Sequence, residues 1–496
     1  MSTPESTPIP IPVQTARTLV KTRIIATVGP ASEDSNTLRK LIEAGVDIFR
    51  LNFAHGNHEW LEGILQKIRT ISTEMKTPIG VLGDLSGPKI RLGELQVSEL
   101  VCIEGESLTF LREGCQPSAQ NHLTCTYEKL IDDVHVGDRI LLADGTVALE
   151  VSDKPADGKS VVCKITEGGT IRSRQGVNLP GVALSTPSIT EKDEADLKWA
   201  LANEVDFIGL SFVRSASDIV QLKQMIADAD PSVVPTVVAK IEKTEAVDDL
   251  DNILQVTDAV MVARGDLGVE TEITRVPLLQ KQIIRQCNAA RIPVITATQM
   301  LDSMTTNDLP TRAEVSDVAN AVIDGTDAVM LSQETAIGTN PVACVKMMQK
   351  IAFSADPYVV STEGEACLSE PLRRANPITE AVSRGATVVA ESLEANLIVV
   401  ATDSGRTALA LSRQRGHVPI LAVTHNESTA RKLCLYWGVT AILSTLVRQS
   451  ADALLQHVVQ WGTENKLLES GHKIVVVGHT NWLGDGHDLM MVHIVP

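Results

Sequence analysis

Aromatic side chains are scarce in this 496-residue chain, at 3% of residues, so aliphatic side chains must fill its core. The eight cysteines, Cys102, Cys115, Cys125, Cys163, Cys287, Cys344, Cys367 and Cys434, are scattered, with no CxxC pair and no zinc-type spacing. That excludes a disulfide scaffold and suits reduced thiols in a cytoplasmic protein. No apolar run approaches the ~20 residues of a membrane span. The opening MSTPESTPIPIPVQ lacks the basic and apolar regions of a signal peptide, so residues 1–20 read as a disordered tail. Positive charge is also short: 44 Lys and Arg face 62 Asp and Glu, for a net charge of -18. An acidic surface argues against nucleic acid and anionic membranes as partners. Any anionic substrate would need cations gathered locally.

The rest of the composition is that of a globular protein, 44% hydrophobic and 21% charged, and the length suggests about three domains at ~100–200 residues each. Eight short apolar runs recur: Arg23–Val28, Asp47–Phe53, Ile79–Leu85, Asp206–Phe212, Thr236–Ile241, Ala259–Asp266, Pro293–Thr298 and Ala328–Ser332. Such runs suit strands buried on both faces, as in parallel sheets. Amphipathic segments such as Ser35–Ala44 and Arg275–Arg291 lie between them. The pattern predicts a (β/α)8 TIM barrel over residues 21–87 and 189–360. A doubly wound sheet is the alternative, and the polar residue ending nearly every run argues against it. The long gap between the third and fourth runs holds alternating strands and Gly turns, predicting an inserted small β-barrel lid domain at 88–188. Beyond a polar linker at Ser361–Ala375, the runs Asn396–Thr402, Pro419–Thr424 and Lys473–Gly478 predict a C-terminal α/β regulatory domain at 361–496.

Chemistry concentrates at the strand ends. The second run carries Arg50, Asn52 and His55; the third ends in Asp84, then Ser86-Gly87-Pro88-Lys89-Ile90-Arg91. Ser211-Phe212, Lys240-Ile241-Glu242, Arg264-Gly265-Asp266, Thr298-Gln299, Ser332 and Glu334 follow on later runs. Strand periodicity puts Lys240 and Glu242 on one face. Glu242 and Asp266 together suit a hard divalent cation, Mg2+ or Mn2+. With Arg50, Lys240 and Arg91 on the same rim, the set fits phosphoryl transfer, where negative charge must be positioned and neutralised. One such residue alone is usually a solvated charge; several on successive strands are harder to dismiss. His58 reads as a surface residue at a helix start.

The strings Thr22–Ser32 (TRIIATVGPAS), Arg50–Gly56 (RLNFAHG), Asp84–Arg91 (DLSGPKIR), Gly176–Gly181 (GVNLPG), Val237–Val247 (VVAKIEKTEAV), Ala263–Glu270 (ARGDLGVE) and Thr296–Met304 (TATQMLDSM) together resemble the pyruvate kinase family, from about Lys21 to the C-terminus. The resemblance implies transfer of the phosphoryl group of phosphoenolpyruvate to ADP, giving pyruvate and ATP. It implies that Arg50 contacts the substrate phosphate and that Lys240 stabilises the transfer and the enolate oxygen. Gly265, Asp266 and Thr298 would hold the substrate, Glu242 and Asp266 the metal, and His55, Arg91 and Lys192 the nucleotide phosphates. The proton for enolpyruvate would come through water near Thr298 and Ser332.

The chain departs from the family in its monovalent-cation site. The family's NFSHG serine is Ala54, and the Glu of its common Asp-Thr-Lys-Gly-Pro-Glu-Ile-Arg is Lys89. Asn52, Asp84 and Lys89 are the remnant of that site. A fixed ammonium in place of potassium implies activity without K+. Gln333, where the family usually has Gly, would be strained if its φ were positive. In the C-terminal domain, Thr402, Ser404, Gly405, Arg406 and Thr407 follow a strand and open a helix, a pattern suited to anions and equally to an ordinary N-cap turn. The resemblance implies a phosphorylated-sugar or nucleotide effector there, and a homotetramer. Rival readings are another enolate-forming barrel, such as a metal-dependent aldolase or a phosphoenolpyruvate mutase, and a degenerate, non-enzymatic sensor. The first would lack the insert and the C-terminal domain; the second is disfavoured by intact Arg50, Lys240, Glu242, Asp266 and Thr298.

Overall fold

Eight runs of aliphatic residues form eight parallel strands closed into a barrel: β1 (Arg23–Thr27), β2 (Ile48–Asn52), β3 (Gly80–Asp84), β4 (Phe207–Leu210), β5 (Thr236–Ile241), β6 (Ala259–Ala263), β7 (Val294–Ala297) and β8 (Ala328–Leu331). Each pairs with its neighbours in sequence order, and β8 returns to β1. Nearly every strand residue is buried, because side chains fill the barrel on one face and meet the helices on the other. The computed structural model describes residues 19–112, 114–115, 117–182, 185–359, 376–448, 450–478 and 488–496. Cys367, the linker Ser361–Ala375 and all of the expected tail except Leu19 and Val20 lie outside them.

The sixth run is shorter than the sequence pattern suggests. It is a strand only to Ala263, and Arg264–Glu270 is a helix. Asp266 therefore stands in a first helical turn rather than on a strand, where the helix dipole favours an acidic residue. Two further helices matter below. One is Glu191–Ala202, whose start is closed by a reciprocal Thr190–Asp193 capping box. The other is Arg406–Ser412, in the C-terminal domain. In chain order we label them α1 (Glu191–Ala202), α2 (Arg264–Glu270) and α3 (Arg406–Ser412), with α4 (Glu427–Lys432) after them.

The insert after β3 is sheet-based. Six strands pair in the order Val177–Asn178, Arg139–Leu142, Val147–Asp153, Ser160–Glu167, Ser107–Leu111 and His122–Leu123, beside a ribbon of Leu100–Cys102 with Gly169–Ile171. It has its own core, including Phe110, Ile140, Leu149 and Val161. The C-terminal sheet runs β11 (Val439–Leu443), β10 (Ile420–Thr424), β9 (Leu397–Ala401), β12 (Lys473–Gly478) and β13 (Leu489–Ile494). Only β13 is antiparallel. The strands β11 and β13 are absent from the sequence-based expectation. β13 has one exposed face and reads LMMVHI, without the buried run that marks the others.

The barrel floor shows a repeat. Asp47, Asp206, Asp258 and Asp327 each immediately precede, or stand one residue ahead of, an even-numbered strand. Each carboxylate accepts a backbone N–H from the first or second residue of the preceding odd strand: Ile24 at 2.9 Å, Val81 at 2.9 Å, Val237 at 3.0 Å and Val294 at 2.8 Å. Strands are thereby tied in pairs at their N-terminal ends. Two of these carboxylates also receive arginines from the C-terminal domain. Arg431 of α4 bonds Asp206 at 2.6 Å, while Arg413 and Arg415, just beyond α3, both pair with the fully buried Asp327. Trp437 completes the junction, with Lys21 and Arg415 each 5.0 Å from its ring centre. The floor is thus closed by the C-terminal domain, which leaves the opposite rim, under the insert, for ligands.

Candidate active site

At the C-terminal rim, three strands bring their charges to one carboxylate. Asp84, at the end of β3, is completely enclosed. Arg50 of β2 donates to its Oδ2 through Nε at 2.7 Å, and Lys240 of β5 approaches its Oδ1 at 3.1 Å. Space for the carboxylate exists because β4 carries Gly209 beside it; a Cβ there would lie 2.9 Å from Oδ1. Burial opposes ionisation of Asp84, but Lys240 and then Arg50 outweigh it and hold the carboxyl below its ordinary pKa.

Lys240 is saturated with acceptors. Its Nζ lies 3.0 Å from Glu242 and donates to Ser211 Oγ at 2.6 Å. Ser211 in turn donates to the Leu85 carbonyl at 2.7 Å. Burial works against the ammonium, yet Asp84 and Glu242 prevail and raise its pKa above that of an ordinary lysine. Glu242 shows the opposite imbalance. It accepts the Phe212 N–H at 2.7 Å, but burial and the nearby Asp266 push its pKa up more than Lys240 pulls it down. Asp266 makes no hydrogen bond or ion pair among the described residues. Two hard oxygen donors, one destabilised by burial and one free, are a set that a divalent cation would complete.

Thr298 sits in the left-handed region, at φ 69°, with Gln299 at 52°. This is a costly conformation for a β-branched residue. Two contacts hold it. The Gly265 N–H donates to Thr298 Oγ1 at 2.8 Å, and the Arg264 guanidinium donates to the Thr298 carbonyl at 2.7 Å and that of Gln299 at 3.1 Å. Arg264 is itself fixed by Asp317 at 2.7 Å. Glu334 serves a similar end: it accepts the N–H groups of Leu301 and Ser332, and its burial raises its pKa. The Ser332 hydroxyl is buried with no hydrogen-bond partner among the described residues. Gln333 opens a short helix and is not among the residues with positive φ, so the expected strain is absent.

The residues read as nucleotide ligands share the outer rim. His55 is depressed below its ordinary pKa by burial and by the charges of Arg91, Arg50 and Lys89, so it is a neutral imidazole at pH 7 beside three cations. Lys192, on α1, donates to the Phe53 carbonyl at 2.7 Å and to Asp196 at 2.6 Å. His58 opens the helix His58–Glu74, as read from the sequence, and shares Asp196. Arg91 reaches the Arg174 carbonyl at 3.2 Å within the insert.

The monovalent-site remnant is only partly assembled. Asn52 and Asp84 are register partners on β2 and β3. Lys89 is exposed and makes no ion pair among the described residues. Asp84 is neutralised by Arg50 and Lys240. The C-terminal loop is folded on itself: Thr402 Oγ1 accepts the Gly405 N–H at 2.9 Å, Gly405 has φ 80°, and Arg406 contacts Ser404 at 3.2 Å. Thr407 is buried in the first turn of α3. Sequence reading gave no role to Ser211 or Arg264; a hydroxyl beside the lysine strand and an arginine opening α2 were the available signals.

Comparison with known proteins agrees with this architecture. Residues 19–345 match the family described as pyruvate kinase, barrel domain, and residues 380–493 the family described as pyruvate kinase, alpha/beta domain. The pyruvate kinase of Bacillus licheniformis is 41% identical over 478 residues, covering 96% of this chain and 80% of the relative. Pyruvate kinase 2 of Synechocystis sp. is 42% identical over 487 residues, covering 97% and 80%. The crystal structure of a pyruvate kinase from Cryptosporidium parvum superposes with a TM-score of 0.87 at 33% identity, over 98% of both chains.

The raised pKa of Glu242 carries a sign. A buried carboxyl that holds its proton more tightly than in the unfolded chain lowers stability as pH rises through its folded pKa. Without a divalent cation, Glu242→Gln is expected to melt at or above the parent's temperature at pH 7. Added Mn2+ should raise the melting temperature of the parent and not of the variant. A variant that melts lower without metal, or responds to Mn2+ like the parent, refutes this account.

Proposed function

The chain belongs to the pyruvate kinase family and is a phosphotransferase of that kind; from that premise we propose how its residues divide the work of moving a phosphoryl group from phosphoenolpyruvate to ADP. The observation that carries the proposal is the buried Arg50–Asp84–Lys240 arrangement, which points two fixed cations at one spot on the rim. Arg50 binds the phosphoryl oxygens, and Lys240 neutralises charge on the transferring group and on the enolate oxygen left behind. The Gly265 backbone, Asp266 and Thr298 orient the substrate carboxylate. His55, Arg91 and Lys192 hold the ADP phosphates, so that a terminal phosphate oxygen attacks phosphorus in line as the bond to the enol oxygen breaks. Enolpyruvate then takes one proton at its methylene carbon from water on the Thr298–Ser332 side, giving pyruvate. A Mg2+ or Mn2+ ion held by Glu242 and Asp266 would neutralise and template the oxygens of the reacting groups.

The same reading includes activity without potassium. Its support is that the nearby oxygens have protein partners: Asp84 has Arg50 and Lys240, and Asn52 Oδ1 accepts the Ala54 N–H at 3.1 Å. Ala54 offers no side-chain oxygen, and Lys89 adds positive charge from the surface. It also includes an effector, a sugar phosphate or nucleoside monophosphate, at Thr402–Thr407, supported by the exposed Ser404 and Arg406 at the start of α3. A homotetramer is supported by exposed apolar residues on the barrel flank, Ile273 at 77% and Leu309 at 70%. A cytoplasmic location fits seven described cysteines that are all free thiols. No helix among the described residues is long and apolar enough to cross a membrane.

Pyruvate formation from phosphoenolpyruvate, ADP and Mg2+ in potassium-free buffer tests the central claims. Turnover is expected there, with less than about threefold gain on adding K+, and Lys240→Met should lower kcat by about 10²–10³-fold, the scale for removing one preorganised charge. Many-fold potassium activation would refute the ammonium substitution, and an active Lys240→Met enzyme the assignment of Lys240. Ribose 5-phosphate or AMP should lower the substrate concentration for half-maximal rate, and Arg406→Ala should abolish that shift; an identical response in the variant removes the effector assignment. Light scattering should give four times the 53.3 kDa chain mass; a monomer refutes the assembly.

A further inference from the structure

The insert meets the barrel at a second ion pair that the phosphoryl-transfer reading does not use. Lys243, three residues beyond Lys240, lies 3.2 Å from Glu270, the last residue of α2, and their side chains are only 5% and 3% exposed. Glu270 Oε1 also accepts Asn178 Nδ2 of the insert at 3.3 Å. Asn178 is held within the insert's sheet by its pairing with Leu141. One residue before Glu270, Val269 packs against the insert's turn: a Cβ on Gly145 would lie 3.6 Å from it. The cleft between the two bodies is lined by Lys89 and Asn178 on one side and by Lys243, Asp266 and Glu270 on the other.

Three features make this more than a packing contact. Glu270 stands four residues after Asp266, so both carboxylates lie on one face of α2 and both line the cleft. Glu270 Oε2 is buried and has no hydrogen-bond partner among the described residues, so this carboxylate is less well satisfied than a purely structural one would be. A buried ion pair gives little net stability over apolar residues of the same size, so stability alone does not account for charges here. What the pair does provide is a fixed acceptor at the point where the insert touches the barrel.

We propose that Glu270, held by Lys243, is a latch that receives Asn178 and sets the position of the insert over the Asp266 face of α2. Asn178, Lys243 and Glu270 are then positioning residues for the transfer reaction. With the latch made, the insert's Lys89 faces Asp266 across a narrow cleft; with it broken, the cleft opens to water. The inference rests on the assignment of Asp266 to the reacting site, and its test separates the two.

The test exchanges the partners. Asn178→Asp sets a second carboxylate against Glu270, and N178D/E270Q restores one amide and one carboxylate with their places exchanged, leaving Lys243 a negative partner. Asn178→Asp is expected to raise KM for phosphoenolpyruvate about tenfold, the scale of one hydrogen bond to a charged group, with kcat altered by less than about threefold. Amide hydrogen exchange in Arg139–Leu142 and Val177–Asn178 should quicken in the same variant without substrate. The exchanged pair should return KM to within about threefold of the parent and slow the exchange again, as coupled partners do. An Asn178→Asp enzyme with unaltered KM and exchange overturns the latch, as does a double variant whose defects are the product of the single ones, or an Asn178→Ala that only melts lower. Rescue of lid exchange in N178D/E270Q alongside an Asp266→Asn enzyme that keeps full turnover would retain the latch and discard the role of Asp266.

Discussion

The rim of this barrel depends on one buried carboxylate. Asp84 is out of water, and an isolated ion there would be prohibitively costly. It stays ionised because Arg50 and Lys240 converge on it from strands on either side. The dependence is mutual for Lys240, whose buried ammonium is favoured by Asp84 and then by Glu242. A single constraint, two cations held on one carboxylate within a few ångströms, therefore fixes the relative height of β2, β3 and β5. Arg50 keeps donors free for a ligand, because Asp84 and Thr27 occupy only part of its guanidinium. Preorganisation has this concrete meaning here: the charges are already oriented and already desolvated before any substrate arrives.

The opposite end of the barrel uses the same element in a different role. Asp47, Asp206, Asp258 and Asp327 cap backbone N–H groups and tie the strands in pairs. Their surplus charge is met by basic side chains, and at Asp206 and Asp327 these include arginines from the C-terminal domain. A movement of α3 or α4 would thus act directly on strands β4 and β8, whose other ends carry Ser211 and Ser332. Buried polar atoms without a hydrogen-bond partner occur at both ends among the described residues, at Arg413 and Trp437 by the floor and at Glu270 and Ser332 by the rim.

Much of this was legible in the sequence, and the reason is periodicity. Strands buried on both faces have no freedom to carry polar residues except at their ends, so Arg50, Asp84, Lys240 and Glu242 announce themselves by position. What escaped depended on contacts between distant segments. Lys89 replaces an acidic residue of the family pattern, and its exposure beyond the turn at Gly87 is set by how the insert leaves the barrel, which no local pattern records. Asp266 looked like a strand residue because the apolar run continues into it; the helix start at Arg264 is set by the need to leave the barrel. The latch at Asn178, Lys243 and Glu270 joins three segments that nothing in local pattern connects. β13 was missed because an edge strand with an open face has no buried run to detect.

A last consequence concerns the charge of the whole molecule. With a net charge of -18, the chain repels the anionic substrates its site must hold. The cations at the site are of two kinds. Arg50 and Lys240 are deep and each already holds a carboxylate. Lys89 and Arg91 are shallow and unpaired by any carboxylate among the described residues, and together with burial and Arg50 they hold His55 below its ordinary pKa. In the proposed reaction the shallow cations draw a phosphate in against the global charge, and the deep ones align it once water is excluded. Neither set could do the other's work: a deep unpaired lysine would lose its proton, and a paired one at the surface would steer nothing.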